Sequence, residues 1–119
     1  MFQFEYFKTR FTEEYAFLED KKKVIIQGYA PGHQIIQLQR DTAITCYKNQ
    51  YKCHLLFHLG IPVYPDYLEG EDFHFILVFE GLPEDCKEFN LQSVPTSGTW
   101  KCYDFERNEE DVYTFYISE

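Results

Sequence analysis

Alternation of polar and apolar side chains with a period of two is the main pattern in this chain. Between residues 51 and 59, large apolar or thiol side chains occupy the odd positions and mostly polar ones occupy the even positions. Successive side chains of a β-strand point to opposite faces of its sheet, so this segment is predicted to be a strand with one buried face. Its predicted inward positions are Tyr51, Cys53, Leu55, Phe57 and Leu59.

A second strand, predicted over residues 73–80, is apolar on both faces. One parity holds Phe73, Phe75, Leu77 and Phe79, and the other holds His74, Ile76 and Val78. A strand with two apolar faces needs cover on both sides. We therefore expect residues 73–79 to form a central strand of the sheet.

Shorter runs rich in β-branched and aromatic residues are predicted strands, separated by turn residues. These predicted strands cover residues 2–6, 24–27, 34–38, 43–47, 88–91, 100–105 and 112–117. Predicted turns include residues 30–32 and 69–70. Residues 11–18 leave two alternatives: a strand, which the aromatics favour, or a short helix near residues 12–19 that Thr12 would cap. The pattern indicates an all-β sandwich or barrel, and we predict a single antiparallel β-sandwich spanning residues 1–119 as one domain.

Composition agrees with a packed domain and narrows the classes of partner. The chain has 119 residues, 45% of them apolar, with 12 Phe, 10 Tyr and one Trp. That length suits one domain, and that apolar fraction can support a core. Lys and Arg total 11 against 20 Asp and Glu, for a net charge of −9. This balance argues against binding to nucleic acid phosphates, and no run approaches the roughly 18 apolar residues of a membrane span, so no membrane insertion is expected.

The amino-terminal residues and the cysteines bear on the cellular compartment. Residues 1–7 alternate in polarity and lack the basic start and apolar run of a secretory signal, which favours the cytoplasm. A domain excised from a longer exported chain would instead belong to the cell envelope or the exterior. The four cysteines form no Cys-x-x-Cys pair, so we expect mostly buried, reduced thiols, with a disulfide framework as the alternative. They are Cys46, Cys53, Cys86 and Cys102.

An acidic segment is the strongest candidate for a binding surface. The candidate partner-binding residues are Asp66, Tyr67, Glu69, Glu71 and Asp72. Carboxylates of this density suit a basic protein partner through opposite charge. Their oxygens also suit calcium, although the spacing is not that of an EF-hand.

Other candidate chemistry is sparse. His54 and His58 would lie roughly 13 Å apart on a strand, too far for one metal ion, so no metal site is predicted. The chain carries no nucleophile elbow, phosphate-binding glycine loop or zinc-protease motif, so we expect no enzymatic activity and no cofactor. Aromatic side chains at strand ends can stack on sugar rings, although most aromatics must fill the core. The candidate stacking residues are Tyr64, Trp100 and Tyr103.

Several segments of the chain are similar to a known class of module. The runs 75–85, 89–91 and 100–105, preceded by the strand and Pro-Gly turn at 24–32, carry the similarity. Over roughly residues 24–107 the chain resembles poorly characterised bacterial, envelope-associated β-sandwich modules of immunoglobulin-like architecture. Gln92 stands where those modules often carry Glu, and residues 33–39 lack their usual Trp. The resemblance implies an immunoglobulin-like sandwich without catalytic residues.

These observations together predict a non-catalytic protein-interaction module. One concrete form is a small acidic immunity or inhibitor protein that covers the active site of a basic partner. The alternative is a carbohydrate- or calcium-binding module of an exported protein. The sequence does not indicate the oligomeric state.

Overall fold

The computed structural model describes residues 22–92 and 102–117, and the regular structure in these ranges is β-strand throughout. The strands are β1 (Lys23–Ile36), β2 (Ala43–Cys46), β3 (Lys52–Leu59), β4 (Leu68–Glu80), β5 (Glu88–Gln92), β6 (Tyr103–Glu106) and β7 (Val112–Tyr116). They form one sheet in the order β6-β5-β2-β3-β4-β1-β7. The described ranges contain no helix long and apolar enough to cross a membrane.

The all-β prediction is confirmed for the described residues, but the antiparallel immunoglobulin-like sandwich is not. Most neighbouring strands are antiparallel, whereas β1 and β7 run parallel, so the single sheet is mixed. The predicted strand at residues 2–6, the segment near residues 12–19 and Trp100 lie outside the described residues.

The sheet curves strongly, so that strands at its two ends meet. The ring of Tyr103 on β6 lies 4.5 Å from that of Phe115 on β7, and the rings of Phe105 and Tyr113 are 5.6 Å apart. This curvature gives one sheet an interior, in which large side chains lose contact with water. The largest fully buried side chains are Phe75, Phe79, Phe89, Ile26, Ile36, Leu38, Ile44, Leu77, Leu91, Ile117 and Val24.

Strand β4 is central, as its two apolar faces predict. It pairs with β1 on one side and β3 on the other, and residues 75–79 are all buried. Phe75 fits against β1 because its partner there is Gly28. A Cβ atom built on Gly28 would lie 2.2 Å from the Phe75 ring.

A bulge in β3 divides the predicted inward face of that strand. Leu55 pairs with Phe79, but Phe57 pairs with Val78, so the register shifts between them. Paired residues of an antiparallel ladder lie on the same face of the sheet, and Phe79 and Val78 lie on opposite faces. Phe57 therefore lies on the opposite face from Leu55, and a common inward face for all five odd positions was a wrong prediction.

Strand β1 is continuous where the sequence predicts two strands and a turn. Between Ala30 and His33 the register shifts, so that Pro31 and Gly32 oppose a single residue, Asp72. Gly32 has a φ of 75°, and its backbone N–H donates to Asp72 Oδ1 at 2.8 Å. The turn residues are thus absorbed by a bulge. The turn predicted at residues 69–70 is also wrong, because both residues lie within β4.

The cysteines depart from the expected reduced state. Cys46 and Cys86 form a disulfide, with their Cα atoms 6.0 Å apart. Closing this loop, in which the two cysteines are 40 positions apart, contributes roughly 4 kcal/mol in the loop-entropy model. Cys53 is a buried free thiol and Cys102 an exposed one. Burial raises the pKa of Cys53 to about 11, which keeps this thiol protonated near neutral pH.

Candidate functional site

Most of the predicted acidic loop belongs to the first residues of β4. The strand begins at Leu68, and Glu69 and Glu71 are exposed on the same face because they are two residues apart. On β1 they pair with Ile35 and His33, respectively. The two strands therefore present a joint surface that the sequence of either one alone does not reveal.

The acidic side chains of this surface have different local roles. The His33 Nε2–H donates to Glu69 Oε2 at 3.1 Å, and both side chains are more than half exposed. Asp72 has a φ of 53° and accepts the Gly32 N–H, so it supports the bulge as well as carrying charge. Asp66 is exposed in the turn that leads into β4.

Backbone hydrogen bonds fix the loop that leads to β4. Leu38 donates its N–H to Pro62 O, and its own carbonyl accepts the N–H of Tyr64, each at 2.8 Å. The Asp66 N–H donates to Val63 O at 3.0 Å, and the Gln37 side-chain amide donates to Asp66 O at 2.9 Å. The tyrosines on this loop are therefore presented from an ordered backbone.

Exposed apolar side chains are concentrated beside these acids. Four of the eight exposed large apolar residues among those described lie here. They are Ile35 (37% exposed), Tyr64 (50%), Tyr67 (61%) and Leu68 (43%). With Asp66, Glu69, Glu71 and Asp72, we call this group the acidic tyrosine surface. Ile35 and Glu69 share one face of the strand pair, whereas Leu68, which pairs with Ile36, lies at its other face. Sequence reasoning identified the acids and both tyrosines but missed Ile35 and Leu68, since Ile35 joins the group only through strand pairing.

Cationic groups at this surface are fewer than the carboxylates. The Arg40 guanidinium carbon lies 5.6 Å from the centroid of the Tyr64 ring, and its Nε–H donates to Tyr64 O at 3.3 Å. His33 is the partner of Glu69. Four carboxylates beside one arginine and one histidine leave the surface with excess negative charge.

The candidate stacking residues are not assembled into one platform. Tyr64 is exposed on the loop next to Leu38, whereas Tyr103 lies on β6 with its ring against Phe115. Tyr103 is partly buried, and burial raises its pKa. Trp100 lies outside the described residues.

Within residues 22–92 and 102–117, no three His, Cys, Asp or Glu side chains are grouped in a way that would hold a metal ion. The His58 Nδ1–H donates to Ile61 O at 2.9 Å, which orients this ring toward the backbone. The calcium alternative therefore gains no support from the geometry of the acidic segment.

No protein-family model, curated protein or solved structure matches this chain. The similarity to bacterial immunoglobulin-like modules stays a prediction from sequence. The protein's function is therefore inferred from the composition and geometry of its surface.

Proposed function

We propose that this protein is a non-catalytic interaction module that binds a basic protein through its acidic tyrosine surface. The observation that carries the proposal is the position of four exposed large apolar side chains among four carboxylates. Interfaces typically combine aromatic and apolar anchors at the centre with a polar rim. Isolated exposed apolar residues are common, but half of the exposed large apolar side chains among the described residues lie on or next to one strand pair, which favours recognition.

The net negative charge of the protein and the ordered backbone of the tyrosine loop both favour such binding. The net charge of −9 attracts a basic partner over distances near the Debye length and raises the rate of encounter. The backbone hydrogen bonds of residues 62–66 hold the tyrosine loop in place before binding. A preorganised surface loses less conformational entropy when the partner arrives.

Within this class, an immunity or inhibitor protein that covers a basic active site is the most concrete form. Such a protein acts by occlusion and needs no catalytic groups of its own. Its compartment would follow that of its partner.

Tyr67 provides a direct test. A photo-crosslinking amino acid placed at position 67 is expected to capture a basic partner in native lysate, whereas the same group at Tyr116, which is also highly exposed, serves as the control. Tyr67→Ala is then expected to weaken the purified complex by about thirtyfold, the size of an aromatic hot spot. Tyr116→Ala should leave the affinity unchanged. Equal effects of the two substitutions would contradict the proposal.

The alternative module, one that binds a carbohydrate or calcium, makes a different prediction. A ligand that binds only the folded state raises the melting temperature. Thermal melts with a glycan panel, and with calcium against EDTA, would reveal such binding. A saturable rise would favour the alternative over the interaction module.

A further inference from the structure

A second polar cluster lies on the outer face of the sheet, on strands β2, β5 and β6. Asn90 on β5 pairs with Thr45 on one side and Asp104 on the other. Their neighbours along the strands, including Phe89 and Phe105, belong to or pack against the core, so these three polar residues face outward.

Asn90 is an unusual member of this cluster because it is only 7% exposed. Its Oδ1 is buried without a hydrogen-bond donor, and buried polar atoms normally have partners. The Tyr47 hydroxyl donates to Asp104 Oδ1, and the Asn90 side chain lies close to the same hydroxyl. The bond to Asp104 raises the pKa of Tyr47. The half-exposed Tyr47 side chain thus lies beside both Asp104 and Asn90, whose Oδ1 lacks a donor.

Negative charge surrounds the cluster. Glu88 pairs directly with Glu106, an arrangement that is destabilising because like charges face each other across two strands. Asp104 is two residues from Glu106 and is exposed on the same face. A cation bound here would relieve the repulsion and supply donors to Asn90.

Backbone groups along the edge strand β6 are a further feature of this region. Among the described strands, β6 pairs only with β5. The Arg107 N–H donates to Lys87 O at 2.8 Å, which makes this a hydrogen-bonded pair of the antiparallel ladder. Bonded and non-bonded pairs alternate, so the backbone N–H and C=O groups of Asp104 and Glu106 point away from β5. An extended peptide can pair with such groups.

We propose that this site binds an arginine side chain carried by an extended polypeptide segment that pairs with β6. The guanidinium would donate to Asn90 Oδ1 and to the Asp104 carboxylate after the Tyr47 side chain rotates outward. Arginine fits better than lysine because its planar fork reaches two acceptors at once. This site is separate from the acidic tyrosine surface and does not depend on the function proposed for it.

The test is a titration of the ¹⁵N-labelled protein with the capped peptide acetyl-Thr-Val-Arg-Val-Thr-amide. Saturable NMR shifts are expected at the Asn90 side-chain amide and at the backbone amides of Asp104 and Glu106. The matched peptide with citrulline in place of arginine keeps the shape without the charge, and should bind about tenfold more weakly.

Variants separate this role from a structural one. Asp104→Asn, at an exposed position, is expected to weaken the arginine peptide about tenfold, and Tyr47→Phe to strengthen it by freeing the carboxylate. Glu71→Gln on the other surface should change nothing. Edge charges can also serve only to prevent self-association. A variant that self-associates yet binds the peptide with unchanged affinity would overturn the proposal, as would equal binding of the citrulline peptide or no saturable shift.

Discussion

The Arg107 side chain joins three segments of the chain. Its guanidinium donates to both carboxylate oxygens of Asp111, at 2.6 and 2.9 Å, and to the carbonyl oxygens of Pro83 and Cys86. Tyr113 donates its hydroxyl to Asp111 at 2.8 Å. Burial raises the pKa of Tyr113 to about 12, so this donor keeps its proton. The network attaches the disulfide-bearing loop before β5 to the segment that enters β7.

Arg107→Ala should therefore be strongly destabilising. Both side chains of the Arg107–Asp111 pair are only 18% exposed, and removing one partner leaves a largely buried, uncompensated charge. We expect a loss of about 3 kcal/mol in the free energy of unfolding, measured by urea denaturation. The control is Lys22→Ala, which breaks the exposed Lys22–Glu84 pair and should leave stability nearly unchanged, because solvent screens this pair. Equal losses of unfolding free energy in the two variants would contradict this stabilising role of the Arg107–Asp111 pair.

At the residue scale, the sequence was informative about exposure and less so about pairing. The acids from Asp66 to Asp72 and the nearby tyrosines are exposed, as expected. The disulfide partners could not be assigned, because four cysteines allow three connectivities. The pairing depends on β2 and β5 being neighbours, a contact between distant parts of the chain. The lack of a hydrogen-bond donor to Asn90 Oδ1 could not be predicted either, because it also depends on which strands are neighbours.

Gly28 shows how one position fixes the packing of two elements. Its missing side chain leaves room for the Phe75 ring, the central aromatic group of β4. Gly28→Ala should destabilise the protein by about 3 kcal/mol, since the ring must leave its place in a packed core. The comparison is Gly32→Ala, which meets no atom within 4 Å and bears only the strain of a positive φ, about 1 kcal/mol. Thermal melts that rank Gly32→Ala as the more damaging would contradict this packing.

At the scale of elements, local patterns predicted where strands exist better than where they bend. The exposed even positions of β3 and the two-sided burial of β4 agree with their periodicity. The bulges in β1 and β3 were missed, since a bulge is defined by the partner strand's register. Pro31-Gly32 has the composition of a turn, but Asp72 on β4 stabilises it inside a strand.

At the scale of the whole molecule, strand periodicity does not distinguish two stacked sheets from one curved sheet. Both arrangements bury alternate side chains. Here the aromatic contacts between β6 and β7 bring the ends of one sheet together, and the parallel pairing of β1 with β7 makes the sheet mixed. Neither feature has a local signal in the sequence. The antiparallel pairing of β1 with β4, which are distant in the sequence, positions the residues of the acidic tyrosine surface.

We propose that the acidic tyrosine surface, rather than the overall charge, recognises a basic protein. The most direct test of this claim is the association rate with the captured partner, measured by stopped flow over a range of salt concentrations. The triple variant Glu69→Gln, Glu71→Gln and Asp72→Asn should associate about tenfold more slowly at low salt, with a flatter salt dependence. The control, Glu84→Gln with Glu109→Gln and Glu110→Gln, removes the same formal charge elsewhere and should associate nearly as fast as the wild type. Equal rates for the two triple variants would contradict the claim.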